Sequence, residues 1–144
     1  MITNKASIVV HFPVLPHVYK YLQNKCGEKI VASKKDFYGG VALDVFAKQG
    51  SAIYSCNDEI TYPVEISLRY IEEFGIFINK HVIRKFNNRI DKMFREEMRS
   101  YVYITNRQNG IAKEKALRQF LFEYNIVEDD IKFETLVKDI NRNR

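Results

Sequence analysis

The sequence predicts an α+β protein. Short β-branched segments alternate with Pro and Gly in the first half of the chain, whereas long stretches of helical periodicity fill the second half. The chain has 144 residues, of which 46% are hydrophobic and 28% charged, so it can fill one core and is not a disordered tail. We expect one domain over residues 1–144. Residues 1–78 should form a small antiparallel sheet with short helices, and residues 79–144 a long amphipathic helix followed by a helical hairpin.

A strand and a helix are predicted first. Residues 7–12 are mainly β-branched or aromatic and end at Pro13, as is typical of a strand. Pro16 suits the first turn of a helix, and Gly27 suits the position just after its end. The segment therefore predicts a strand followed directly by a helix.

A second short strand and a second helix follow. Residues 28–32 favour the strand. Ser33 and Asp36 resemble a capping box, with Asp in place of Glu, and predict that a helix starts there. The neighbouring residues Gly39 and Gly40 favour close packing inside or near this helix.

A hairpin and a short helix complete this part of the chain. Residues 51–56 and 59–66 suit two paired strands around a turn at residues 57–58. Pro63 predicts that the second strand lies at an edge of the sheet, because proline cannot donate to a strand ladder. Ser67 is expected to cap a two-turn helix.

Three helices are predicted in the second half. The clearest one begins after Asn79, whose side chain can cap it, and runs from residue 80 to about residue 105. Residues 112–124 also have helical periodicity, and Asn125 after them suits a left-handed turn. A last helix passes through Phe133 and continues to the terminus.

The long helix has an apolar side and a basic side. Steps of about 100° per residue place its apolar side chains within about 120° of one another. The opposite, basic side carries Arg84, Lys85, Asn88, Arg89, Lys92, Arg95 and Arg99. Residues 80–107 contain eight Lys or Arg and three acidic residues, whereas the whole chain has 23 and 18 and a net charge of +5. The excess positive charge therefore lies on this helix, and we expect its basic side to face outward over about 20 to 25 Å.

Three interpretations of the basic side remain open on the residues alone. Cations spaced along a helix can follow a phosphate backbone and release its counterions, and Asn88 and Arg95 can reach base edges. The same charges can instead face water, with loose ion pairs such as that of Lys92 with Glu96. An acidic protein or a membrane surface is the third partner that the charge permits.

Residues 115–144 resemble a helix-turn-helix. The spacing of its small, turn and apolar positions is matched by Leu121, Asn125, Ile126 and Ile131. Leu121 is bulkier than the residue usual there, and the turn contains acids that would repel phosphate: Glu128, Asp129 and Asp130. A helical hairpin packed only for stability is therefore the alternative. If DNA binds this segment, the expected contacts are Lys132, Thr135, Lys138 and Arg142.

Motifs for catalysis or for cofactor binding are missing from the sequence. It has no CxxC pair, no phosphate-binding glycine loop and no nucleophile elbow. Asp58 and Glu65 could hold Mg²⁺ as in nucleases, but Ser67 stands where such sites commonly place a lysine. Cys26 and Cys56 are expected to be free thiols. We therefore expect no enzyme, no cofactor, no metal and no small-molecule substrate.

The histidines and several aromatic residues have ordinary explanations. The histidines show no metal-binding spacing and are expected at or near the surface: His11, His17 and His81. Four aromatic residues could line a base-stacking face, although core packing is their commoner role: Tyr54, Tyr62, Tyr70 and Phe77. The sequence has no run of about 18 apolar residues and no signal pattern, so we expect a soluble cytoplasmic protein without membrane contact.

Four segments carry a resemblance to other proteins. They are GIFIN at residues 75–79, IRKFNNRI at 83–90, ALRQFL at 116–121 and DDIKFETL at 129–136. They resemble short proteins that phages and mobile elements of anaerobic gut bacteria carry. The resemblance implies a mobile-element context and adds weight to work on nucleic acids, but it implies no activity and no site residues.

The leading hypothesis is a non-enzymatic DNA-binding protein, a phage or mobile-element regulator that contacts phosphates through the basic side of the long helix. DNA is favoured over RNA. Binding should be abolished, with the fold intact, when four residues are changed together to Glu: Arg84, Lys92, Arg95 and Arg99. The alternative is an interaction or assembly protein that acts through its helical half as a homo-oligomer. That alternative is favoured if three side chains are exposed together: Tyr101, Tyr103 and Phe122.

Overall fold

The computed structural model describes residues 6–33, 35–45, 60–74 and 79–142. The elements follow in the order β1 (Ser7–Pro13), α1 (Pro16–Cys26), β2 (Ile30–Val31), α2 (Phe37–Val45), β3 (Thr61–Ser67), α3 (Leu68–Phe74), α4 (Lys80–Asn109), α5 (Lys113–Glu123) and α6 (Phe133–Arg142). The α+β class is therefore confirmed, with the strands in the first half and the long helix in the second. The strand predicted at residues 51–56 lies outside the described residues.

Within the described residues, the sheet has three strands in the order β1-β3-β2. β1 pairs antiparallel with β3, with Val10 opposite Val64, whereas β2 pairs parallel with β3, with Ile30 opposite Val64. The prediction of a purely antiparallel sheet is therefore wrong for β2. The physical reason is that α2 lies between β2 and β3, and a helical crossover brings the next strand back in the same direction.

Pro63 lies in the central strand and not at an edge, so that prediction is wrong as well. In an antiparallel pair, hydrogen-bonded and non-hydrogen-bonded positions alternate along each strand. The N–H of Val14 donates to Ile60 O (3.1 Å) and the N–H of Leu68 to Ala6 O (3.0 Å), so the hydrogen-bonded positions of β1 and β3 are the even-numbered residues. Pro63 therefore directs its missing N–H away from β1. On the side of β3 that faces β2, pairing begins at Val64, the residue after Pro63. The described sheet therefore loses no ladder bond at Pro63.

The main core lies between one face of the sheet and α4. Phe12 of β1 meets Phe86 of α4 edge to face, with ring centroids 5.0 Å apart. Asn87 of α4 is buried beside them and binds the backbone of the β1–α1 turn. Its amide donates to Pro13 O (2.9 Å), and its Oδ1 accepts from the N–H of Leu15 (2.9 Å). These bonds satisfy buried polar groups and fix α4 against the sheet.

Helix α2 packs its first turn against β2. Asp36 caps the helix, because its Oδ2 accepts from the N–H of Gly39 at 2.8 Å. The predicted capping box is therefore wrong in its first residue, Ser33. Gly39 is buried, and a Cβ there would lie only 2.1 Å from Val31 O. The close packing predicted for this glycine pair is confirmed at Gly39.

The caps and turns of the helical half largely follow the sequence. Asn79 Oδ1 accepts from the N–H of Val82 (2.9 Å) and caps α4 as predicted. The helix ends at Asn109, beyond the predicted end near residue 105, and left-handed Gly110 (φ 67°) follows it. After α5, Asn125 adopts the predicted left-handed conformation (φ 57°). No helix in the described ranges is long and apolar enough to cross a bilayer.

The connection between α5 and α6 spans residues 124–132. A helix-turn-helix has a turn of about three or four residues, so the tight turn predicted here is wrong in length. Two of its acidic residues support the structure. Asp130 Oδ2 accepts from Lys20 Nζ (2.6 Å), and Glu128 Oε2 accepts from the N–H of Phe133 at the start of α6 (2.9 Å).

Candidate nucleic-acid interface

Three cations of the basic side, all in the N-terminal half of α4, project into solvent. Arg84, Lys85 and Lys92 are exposed, with exposed Asn88 between them, because the opposite side of the helix is buried in the core. Among the described residues, no carboxylate lies within ion-pair distance of these three side chains. The loose pair of Lys92 with Glu96 is therefore not formed. We call Arg84, Lys85 and Lys92 the exposed trio.

Arg89 and a cleft flank the exposed trio. Arg89 is partly buried, and its Nη1 lies 3.5 Å from Oδ2 of the exposed Asp44, a pair that contributes little to stability. On the other flank, a cleft of about 510 Å³ lies between the β1–α1 turn and α4. Its walls are mostly apolar and include Leu15, Pro16 and Ile83 together with Arg84 and Asn88.

The C-terminal half of the basic side is covered. Arg95 donates from Nε to Asp91 Oδ2 (2.9 Å) and from Nη1 to Asp139 Oδ2 (2.8 Å), and Arg99 donates from Nη1 to Asp139 Oδ1 (2.8 Å). The prediction that the whole basic side faces outward is therefore wrong for Arg95 and Arg99. The reason is that α6 buries Leu136 and Ile140 in the core, and this places Asp139 against the two arginines.

His17 extends these pairs to α1. Its Nε2 lies 2.6 Å from Asp91 Oδ1, and its ring packs against Phe94 with centroids 5.3 Å apart. His17 is buried, so the prediction of a surface position is wrong for it, whereas His11 and His81 are exposed as expected. One continuous set of hydrogen bonds and ion pairs thus joins α1, α4 and α6.

Burial disfavours the charged forms of Asp91 and Asp139, but hydrogen bonds and charges from their partners favour these forms more strongly. Burial alone would raise the pKa of Asp91, and the hydrogen bond from His17 and the charge of Arg95 hold that pKa below its ordinary value. Burial would likewise raise the pKa of Asp139, and hydrogen bonds from Arg95 and Arg99 lower it. Both carboxylates are therefore ionised at neutral pH and neutralise this half of the basic side.

The polar residues in and just before α6 that are predicted to contact DNA are exposed. These are Lys132, Thr135, Lys138 and Arg142. Lys138 Nζ lies 3.6 Å from Glu134 Oε1, and both side chains remain largely in water. At 100° per residue, Thr135 and Arg142 lie within about 60° of Asp139 around α6. Thr135 and Arg142 therefore lie on the side of α6 that faces Arg95 and Arg99 of α4.

Core packing, the commoner role expected for these aromatic residues, is confirmed for Tyr62. Tyr62 is buried and donates its hydroxyl to Gly27 O (2.7 Å), so it cannot stack on a base. Tyr54 and Phe77 lie outside the described residues, and Tyr70 is partly buried. The exposed aromatic residue on the basic side is Tyr103, whose side chain is 52% exposed. Its helical angle, close to that of Lys85 and Lys92, is a sequence signal that identifies this position.

Tyr101, Tyr103 and Phe122 do not form one exposed patch. Residues two positions apart on a helix point about 160° away from each other, so Tyr101 and Tyr103 face different directions. Tyr101 and Phe122 line a common cleft between α4 and α5. Phe122 itself is 85% exposed.

The remaining candidates for chemistry form no site among the described residues. Asp58 and Cys56 lie outside the described residues, and Glu65 accepts from Lys29 Nζ (3.0 Å). Burial and the charge of Asp36 raise the pKa of the Cys26 thiol to about 11, which makes it a weak nucleophile. Across the described ranges, no group of three or more His, Cys, Asp or Glu side chains could hold a metal ion.

Function has to be argued from this site, because similarity to known proteins gives no guidance. The site combines exposed cations on a rigid helix with a neighbouring helix that carries more of them. No protein-family model matches the chain, and no curated protein or solved structure is significantly similar to it.

Proposed function

We propose that the protein binds DNA through phosphate contacts from the exposed half of the basic side of α4. The observation that carries the proposal is the exposed trio, which has no ion-pair partner among the described residues. Residues 80–92 contain five Lys or Arg and one Asp, and that Asp is already paired with Arg95 and His17. The surface therefore has a local excess of positive charge and suits a polyanion.

The spacing of the trio suits a nucleic-acid backbone. Arg84 and Lys92 are separated by about 12 Å along the helix, so successive cations can reach different phosphates of one strand. Side chains that are already in water have little desolvation cost to overcome, and each phosphate contact releases counterions. With three phosphates neutralised, affinity should fall about 40-fold between about 50 and 200 mM salt.

The test of this proposal is reversal of the trio's charge. Arg84→Glu, Lys85→Glu and Lys92→Glu together should abolish the binding of a duplex at low salt, because like charges then face the phosphates. Circular dichroism and thermal melting should match the wild type, since all three side chains are exposed. Arg95 and Arg99 are left unchanged, because their reversal would break the pairs with Asp139 and confuse loss of binding with loss of structure.

A matched control has the same change in net charge elsewhere. Lys35, Arg69 and Lys115 are exposed cations outside α4, and their joint replacement by Glu should leave most of the binding intact. Fluorescence anisotropy with a labelled duplex measures both variants. Wild-type affinity in the trio variant, or an equal loss in the control, would contradict the proposal.

A second candidate function is a protein interface at Phe122. A phenylalanine that is 85% exposed beside a cleft is unusual on a solvated helix, and it favours assembly through α5. If this function holds, the wild type should self-associate on a sizing column with light scattering, and Phe122→Ser should shift it to the monomer. A wild type that is already monomeric at high concentration rules this candidate out.

A further inference from the structure

Tyr103 lies at the end of the same stripe of α4 that carries two members of the exposed trio. It follows Lys92 by 11 residues and Lys85 by 18, which places all three within about 20° around the helix. Along the axis, Tyr103 lies about 17 Å from Lys92 and about 27 Å from Lys85. The tyrosine is half exposed, because the core lies on the other side of the helix. The ring thus follows the two lysines on this stripe, with the exposed Glu96 between Lys92 and Tyr103.

Arg107 holds the tyrosine ring at this position. Its Nη1 donates to the Tyr103 hydroxyl (2.8 Å), and its guanidinium carbon lies 5.4 Å from the centre of the ring. Both side chains are exposed, so the pair is not part of the core. A held ring loses less conformational freedom when a ligand binds, and its positive neighbour suits an anionic ligand.

We propose that Tyr103 stacks on an unpaired base, so that the surface binds single-stranded DNA in preference to a duplex. This inference rests on the proposed function, because the phosphates of the same strand would be held by Lys85 and Lys92. In a duplex, the faces of the bases are already stacked on one another and a surface tyrosine cannot reach them. In a single strand they are free, and cations together with an aromatic platform are the usual means of binding it.

The test compares the two forms of DNA in one assay. Tyr103→Ser should weaken binding of a labelled oligothymidine roughly 5- to 150-fold, the loss expected for one stacked base, while duplex binding and the salt dependence stay unchanged. Tyr103→Phe keeps the ring and should retain most of the affinity. Ile104→Ser is the matched control, because Ile104 is 50% exposed but points about 100° away from the stripe.

A direct readout of stacking is available because the chain contains no Trp. Tyr103→Trp introduces a single indole, whose emission should be quenched by the oligothymidine, whereas Ile104→Trp should not be quenched.

The outcomes separate the two proposals. If Tyr103→Ser binds single strands like the wild type while the trio variant does not, base stacking is wrong and phosphate binding stands. If the wild type binds neither form of DNA at low salt, both are wrong.

Discussion

Gly39→Ala is expected to lower the free energy of unfolding by about 3 kcal/mol or more, or to prevent folding. The added Cβ would lie 2.1 Å from Val31 O and 2.7 Å from Ser33 N, well inside contact distance. Both are backbone atoms, one in β2 and one two residues after it, so no side-chain rotation can relieve the clash. Helix α2 would have to move off the strand, and urea denaturation followed by circular dichroism would measure the loss.

The neighbouring glycine provides the control. A Cβ at Gly40 would meet its nearest atom, Ser33 O, at 3.9 Å, which is an ordinary contact. Ala is favoured over Gly inside a helix by about 0.5–1 kcal/mol, so Gly40→Ala should leave stability unchanged or raise it slightly. If the two variants have the same free energy of unfolding in urea, the packing of α2 on β2 is not as described.

Asp139→Asn is expected to lower the free energy of unfolding by about 2 kcal/mol at neutral pH. Its carboxylate is mostly buried and accepts from Arg95 and Arg99, so the amide would remove this counter-charge from both arginines, although Arg95 keeps its pair with Asp91. The pH dependence follows from the lowered pKa of Asp139. The stabilisation is complete above about pH 4, the ordinary value for Asp, and is lost as the pH falls through the lower folded value.

The variant should therefore lose less stability than the wild type on acidification below about pH 4. Thermal melts over a series of pH values measure this difference. Glu134→Gln is the control on the same helix: Glu134 pairs at 3.6 Å with Lys138 in water, and its loss should change stability by less than about 0.5 kcal/mol. Equal effects of the two substitutions would show that Asp139 does not hold α6 to α4.

The elements that the sequence predicts well are those set by local rules. The start of α4 depends on Asn79 and the residues just after it, and the turn after α5 on Asn125. The direction of β2 depends instead on its pairing with β3, more than thirty residues away. No local pattern distinguishes a parallel from an antiparallel partner for so short a strand, and so the sheet was only partly predictable.

The candidate site likewise contains residues whose exposure the sequence predicts and residues whose exposure it does not. Helical periodicity predicts which side of α4 is polar. This is enough to predict Arg84, Lys85 and Lys92, which are exposed. It cannot show that Asp139, 44 residues after Arg95, lies against the same helix. Whether a polar residue is free or covered is a property of the tertiary structure, and periodicity in one helix carries no information about it.

The strand order also constrains how the chain folds during synthesis. β1 and β2 do not pair with each other, and each needs β3, the last of the three to be made. The ribosome takes about 3 to 12 s to add the roughly 60 residues from β1 to the end of β3. Throughout that interval β1, with its half-exposed Ile8 and Val9, has no partner strand in the described sheet. Nascent chains should therefore be most prone to aggregate, and most accessible to chaperones, before residue 67 has left the exit tunnel.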